Sequence, residues 1–204
     1  MTIKPTQQHR GFTLVEMLVS ISIFTIVVTM SVGSLLVLID ANGRAQSTQL
    51  VMTNLTFALD SMTREIRTGF NWVCFDSGGS APAVPAVPTT GDCSTVQDTL
   101  SIVESGNSLT AGYSNSRVTY WYDATAGAIK RKLGGDGPWV SLTGSDIFID
   151  DFRFVVTGTD RYSVNTDKIQ PIASIYIKGH AGAIAPKLKE FLVQTTVTQR
   201  LLDI

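Results

Sequence analysis

Few side chains in this 204-residue sequence are of a type that does chemistry, and each group can be tested by its spacing. His180 lies within Lys178-Gly179-His180-Ala181-Gly182. A nucleophilic triad would need a serine elbow beside it, and Gly-x-Ser-x-Gly does not occur. The expected reading is a solvent-exposed loop histidine. Asp146, Asp150, Asp151, Asp160 and Asp167 form the densest acidic group, but their spacing fits no EF-type calcium loop. Solvated carboxylates are the simpler expectation. Gly134-Gly135-Asp136-Gly137-Pro138 lacks both the P-loop lysine and the dinucleotide glycine spacing, so a turn is expected. Two cysteines and two histidines are little material for a structural zinc site, which takes four such ligands. Lys130-Arg131-Lys132 falls in a strand-like stretch, where alternation sends Arg131 to the face opposite its neighbours. From these residues no catalytic site, metal or cofactor is expected.

One charged residue stands apart. Glu16 lies at the start of the longest apolar stretch, within Phe12-Thr13-Leu14-Val15-Glu16-Met17-Leu18-Val19. From Met17 to Ile39 the sequence carries no charged side chain. As a helix that segment would be about 35 Å long, enough to cross a hydrocarbon core of about 30 Å. Ser20, Ser22, Thr25, Thr29, Ser31 and Ser34 dilute it, but hydroxyls can bond back to helix carbonyls. Lys4 and Arg10 precede it and place the N-terminus in the cytoplasm by the positive-inside rule. An ordinary secretory signal is one reading, with Ser31-Val32-Gly33 as the cleavage site and Ser34 as the new start. A plain membrane anchor is another. Neither has a use for Glu16, since a carboxylate within a bilayer is costly and marks a function.

Gly11-Phe12-Thr13-Leu14-Val15-Glu16 resembles the processing motif of type IV prepilins and of type II secretion pseudopilins. The resemblance implies cleavage between Gly11 and Phe12 by prepilin peptidase, N-methylation of Phe12, and retention of the apolar helix. It gives Glu16 the place of the family's assembly glutamate. It implies a pilin-like fold, with other pilin or pseudopilin subunits, an assembly platform in the cytoplasmic membrane and membrane lipid as partners. Some pseudopilins bind calcium and some pilins bind DNA, but the acidic spacing and the short basic run do not call for either here.

Beyond Ile39, Val51, Leu55, Ala58, Leu59, Met62 and Ile66 recur at helical spacing. One long helix is therefore expected from Phe12 to Thr68, softened at Gly33 and Asn42-Gly43, with Arg67 in a last turn and Gly69 as C-cap. The stretch 57–67 also resembles the helix end of J-type pseudopilins and larger minor pilins. Pro82, Pro85 and Pro88 mark an exposed loop flanked by Cys74 and Cys93. Both cysteines lie on the extracytoplasmic side by the topology above. A disulfide closing that loop is expected to stabilise by about 3 kcal/mol; two unlinked buried thiols are the alternative.

From Thr99 onward, strands are expected at 100–103, 118–122, 128–133, 147–156 with a bulge at Asp150-Asp151, 171–178 and 188–201. The expected organisation is a leader at 1–11, a transmembrane helix at 12–39, an amphipathic helix at 40–69, a cysteine-flanked loop region at 70–97, and a β-domain at 98–204. That is an α+β class, a long helix packed on an antiparallel sheet.

Composition narrows the function. Sixteen Lys+Arg against seventeen Asp+Glu argue against nucleic acid as a partner. A hydrophobic content of 44% excludes a disordered tail. The expected protein is a structural subunit, of the minor class, of a type IV pilus or type II secretion pseudopilus. It would sit first in the bacterial cytoplasmic membrane and then in an extracytoplasmic filament. A membrane-anchored binding domain that does not polymerise is the alternative, and an anchored enzyme is a third class.

Overall fold

The computed structural model describes residues 11–85, 91–107, 113–159, 169–181 and 189–200. These form an α+β fold, with one long helix followed by nine strands in two antiparallel sheets. The chain divides into two compact units, Met1–Ala45 and Gln46–Ile204.

Helix α1 covers Leu14–Thr68. It is the one long helix expected, and Gly33 and Asn42-Gly43 do not interrupt it. A glycine costs a helix about 1 kcal/mol through backbone entropy but removes no hydrogen bond. At the far end, Thr68 is the last helical residue and the Gly69 N–H donates to the Glu65 carbonyl at 2.8 Å. Gly69 is no left-handed cap. A Cβ there would lie 2.8 Å from Ile102 Cδ1 and 3.0 Å from the Val103 carbonyl oxygen, so the close approach of the helix end to the strand segment at Ile102 and Val103 demands glycine.

The first sheet runs in the order β1-β3-β4-β5-β6, built from Phe70–Phe75, Thr99–Val103, Arg117–Asp123, Ala128–Leu133 and Trp139–Ser141. The second runs β2-β7-β8-β9, from Cys93–Gln97, Ile147–Thr157, Ile172–Ala181 and Lys189–Thr198. Strands β1 and β2 fall in the region where composition suggested only loop, and the β-structure forms two sheets instead of one. The bulge in β7 lies where expected: pairing shifts between Ile149 and Asp151. One extra residue lets Ile149 and Phe152 both face inward although three positions apart.

Val51, Leu55, Ala58, Met62 and Ile66 are the buried residues of α1. Leu55, Met62 and Ile66 join one core with Leu100, Ile102, Val118, Tyr120 and Ile129 of the first sheet and Phe154, Ile175 and Val197 of the second. The helix is also clamped by charge. Arg131 donates to both Glu65 oxygens, from Nε at 2.9 Å and from Nη2 at 2.7 Å, and the Tyr120 hydroxyl donates to the same carboxylate. Tyr120 and Arg131 face each other across β4 and β5, so the register delivers both to one acceptor. Burial, reinforced by Glu65, holds the Tyr120 hydroxyl far above its ordinary range. Burial pulls the Arg131 guanidinium down, but its bonds to Glu65 outweigh that and leave it raised.

Cys74 and Cys93 form a disulfide with Cα atoms 5.7 Å apart. It joins β1, at the edge of the first sheet, to β2, at the edge of the second. Two backbone bonds assist it, Cys74 N–H to Gly91 and Gly91 N–H to Trp72, each 3.2 Å. A second polar tie lies beneath β1. Arg117, only 1% exposed, donates to the side-chain and backbone oxygens of both Asn71 and Ser101. Asn71 has a φ of 53°, the left-handed region that suits asparagine better than most residues. That conformation sits within the pairing irregularity between Phe70 and Val73.

Candidate functional site: the amino-terminal segment

The segment starts with a glycine that packing does not require. A Cβ on Gly11 would meet nothing within 4 Å. Phe12 is exposed, and α1 begins two residues later. Thr13 caps it: the Glu16 N–H donates to Thr13 Oγ1 at 3.2 Å, and the Met17 N–H to the Thr13 carbonyl at 3.2 Å. The sequence reading missed this cap by starting the helix at Phe12. The available signal was the Thr-x-x-Glu spacing of Thr13 and Glu16, which marks a helix start. Glu16 is exposed in the first turn, where the helix dipole also favours a carboxylate.

From Gly11 to Ile39 every residue is exposed, including Phe12, Leu14, Ile21, Phe24 and Leu36. Five of the hydroxyls that dilute this stretch are turned back on the helix. Ser20, Ser22, Thr25, Thr29 and Ser31 each donate to the carbonyl four residues earlier, at 2.7–2.8 Å. Their polarity is thereby satisfied inside the helix, and the outer surface is more apolar than the composition. The helix is long and apolar enough to cross a membrane. Charge returns at Asp40, which pairs with Arg44 at 3.1 Å, one turn on.

The other sequence candidates lie elsewhere and serve local structure. His180 is on β8 and not in a loop; its Nδ1 lies 2.9 Å from Asp150 Oδ2, and its ring stacks on Phe148. Asp151 pairs with Arg153. Asp146 is exposed, and Asp160 and Asp167 lie outside the described residues. Among the described residues no three His, Cys, Asp or Glu side chains gather as a metal site. Arg131 does take the face opposite Lys130 and Lys132, which lie over Trp121 and Trp139 at 5.6 and 5.7 Å from the ring centres. Lys130 also bonds Asp123 at 2.6 Å, and that bond holds the Asp123 carboxyl below its ordinary range, against the opposing effect of burial.

What the amino-terminal segment offers is therefore a glycine in open space, a carboxylate in the first turn of a helix, and an uncovered apolar surface. No curated protein and no solved structure shows significant similarity to this chain. Residues 6–32 match the family model of the prokaryotic N-terminal methylation motif, so the chain carries a type IV pilin-like amino terminus that fits membrane anchoring.

Proposed function

We propose that this protein is a structural subunit of a type IV pilus or type II secretion pseudopilus, of the minor class, polymerised through its N-terminal helix. The reading is carried by one coincidence: the methylation motif, at residues 6–32, covers the start of a helix whose apolar side chains are exposed as far as Ile39. Prepilin peptidase cuts between Gly11 and Phe12, and Phe12 becomes the N-methylated first residue. Before assembly the helix lies in the cytoplasmic membrane with its N-terminus inside; afterwards the same surface packs against neighbouring helices. The resemblance of 57–67 to J-type pseudopilins supports the minor class.

Cleavage leaves a positive amine at Phe12 in apolar surroundings, and an unpaired charge there is costly. The rise from Phe12 to Glu16 is about 6 Å. A neighbouring subunit displaced by that distance sets its amine beside Glu16, which recruits the subunit and fixes its register. N-terminal sequencing is expected to begin at methylated Phe12; a start at Ser34 overturns the reading. Glu16→Gln keeps shape and removes charge. It is expected to be cleaved and inserted normally while its recovery in sheared filaments falls about tenfold or more, a loss of 1.4 kcal/mol or more per contact. Undiminished recovery removes Glu16 from the assembly mechanism. Normal processing with no chain in filaments would instead favour an anchored binding domain.

A further inference from the structure

The second sheet ends at β9, which has a strand neighbour on one side only among the described residues. Along such an edge, alternate residues turn N–H and C=O groups away from the sheet. Beside Thr195–Thr198 runs a groove of about 980 Å³ whose opposite wall is the end of α1. Arg64 and Arg67 line it from the helix and Arg200 from just beyond the strand, against the single carboxylate of Asp60. All three arginines are exposed, and none forms an ion pair among the described residues. The Arg200 N–H donates to the Arg67 carbonyl at 2.8 Å, which sets these two residues side by side. The helix dipole accounts for a cation in the last turn, but it does not call for Arg200, which follows a strand.

We propose that this groove receives an extended, acidic peptide segment of a partner protein, added to the second sheet as a strand along β9. The open strand edge supplies main-chain hydrogen bonds in register, and the guanidinium groups select carboxylates on the incoming segment. The rest of the lining, mostly threonine with Gln199, contains no aromatic ring. A nucleic acid would meet charge there but no stacking surface, and an apolar helix would meet no apolar trough.

The test uses the full chain in detergent micelles and fluorescein-labelled peptides of about ten residues. One alternates glutamate with threonine, a second alternates lysine with threonine, and a third is the glutamate peptide with alternate backbone nitrogens methylated. The glutamate peptide is expected to raise anisotropy on binding, more weakly as salt is added. The triple variant Arg64→Gln/Arg67→Gln/Arg200→Gln, checked for unchanged melting, is expected to weaken binding about tenfold or more. Arg200→Gln alone is expected to weaken it about threefold, which keeps the test open should the triple variant not fold. Backbone methylation is expected to cost about tenfold as well, because it removes donors to the strand edge. No binding of the glutamate peptide, equal binding of the lysine peptide, or full affinity in the arginine variants overturns the proposal. Full affinity of the methylated peptide overturns strand addition. None of these readouts depends on filament formation.

Discussion

Val19 and Val51 stand on the same helix, yet Val19 keeps 52% of its surface exposed and Val51 only 4%. Before Asp40 the helix is held by its own backbone and by five hydroxyl back-bonds. Its apolar side chains are exposed, so they bury no surface that would add to the stability of the isolated chain. After Gln46 one face of the helix is part of a core, where Leu55, Met62 and Ile66 are removed from water by the two sheets while Met52 and Phe57 on the other face stay exposed. Hydrophobic burial stabilises only where a partner surface exists, at about 25 cal/mol per Å². One face of the second part of α1 has that partner within the chain, and the first part leaves its apolar surface uncovered.

The sharpest way to break this contrast is to truncate one isoleucine in each half. Ile66→Ala is expected to destabilise the β-domain by about 2–5 kcal/mol, whereas Ile26→Ala should change it by less than about 0.5 kcal/mol. Urea unfolding in micelles followed by tryptophan emission checks both, since Trp72, Trp121 and Trp139 all lie beyond α1. Equal losses would mean that the first half also packs on folded protein. Cys93→Ser comes next, with an expected loss of about 3 kcal/mol for a cross-link 19 residues apart and no effect on cleavage at Gly11. The same urea curves measure the loss, and an immunoblot resolves precursor from mature chain.

Glu65→Gln should cost about 1–2 kcal/mol, because Arg131 and Tyr120 lose a charged acceptor at a site about a quarter exposed. It should leave membrane insertion unchanged. The smallest effect is one of pH. The Asp123 carboxyl is depressed when folded, so its contribution is fully present above the ordinary carboxylate value of about 4 and is lost as pH falls through the lower folded value. Melting curves between pH 5 and about 2 should show a shallower acid decline in Asp123→Asn than in the parent.

How much could be read beforehand follows from how local each signal was. The α1 core face, the β4–β5 hairpin and the β7 bulge all show as short-range periodicity. In β9, Phe191, Val193, Thr195 and Val197 share the less exposed face, as the alternation predicts. Strand β1 was hidden because Asn71 breaks its alternation: both Asn71 and Trp72 are buried. Strand β2 is short and polar and is defined by its pairing with β7, a contact far away in sequence. The division into two sheets is likewise a matter of long-range pairing, and periodicity carries no trace of it. At the amino terminus the motif residues were legible because their spacing is itself the signal. The β9 groove was not, since Arg64, Arg67 and Arg200 come together only when the last strand reaches the end of the helix.

The Cys74–Cys93 bond has a mechanical consequence. A pull transmitted along α1 reaches β1 at Phe70, directly after Gly69. From Cys74 the force has a covalent shortcut to β2 in the second sheet, so tension bypasses the intervening eighteen residues. The stretch between the two cysteines then carries no load. Its length can change at a small entropic cost while the two sheets stay coupled. A domain built this way separates the part of its chain free to change in length from the part that would bear tension.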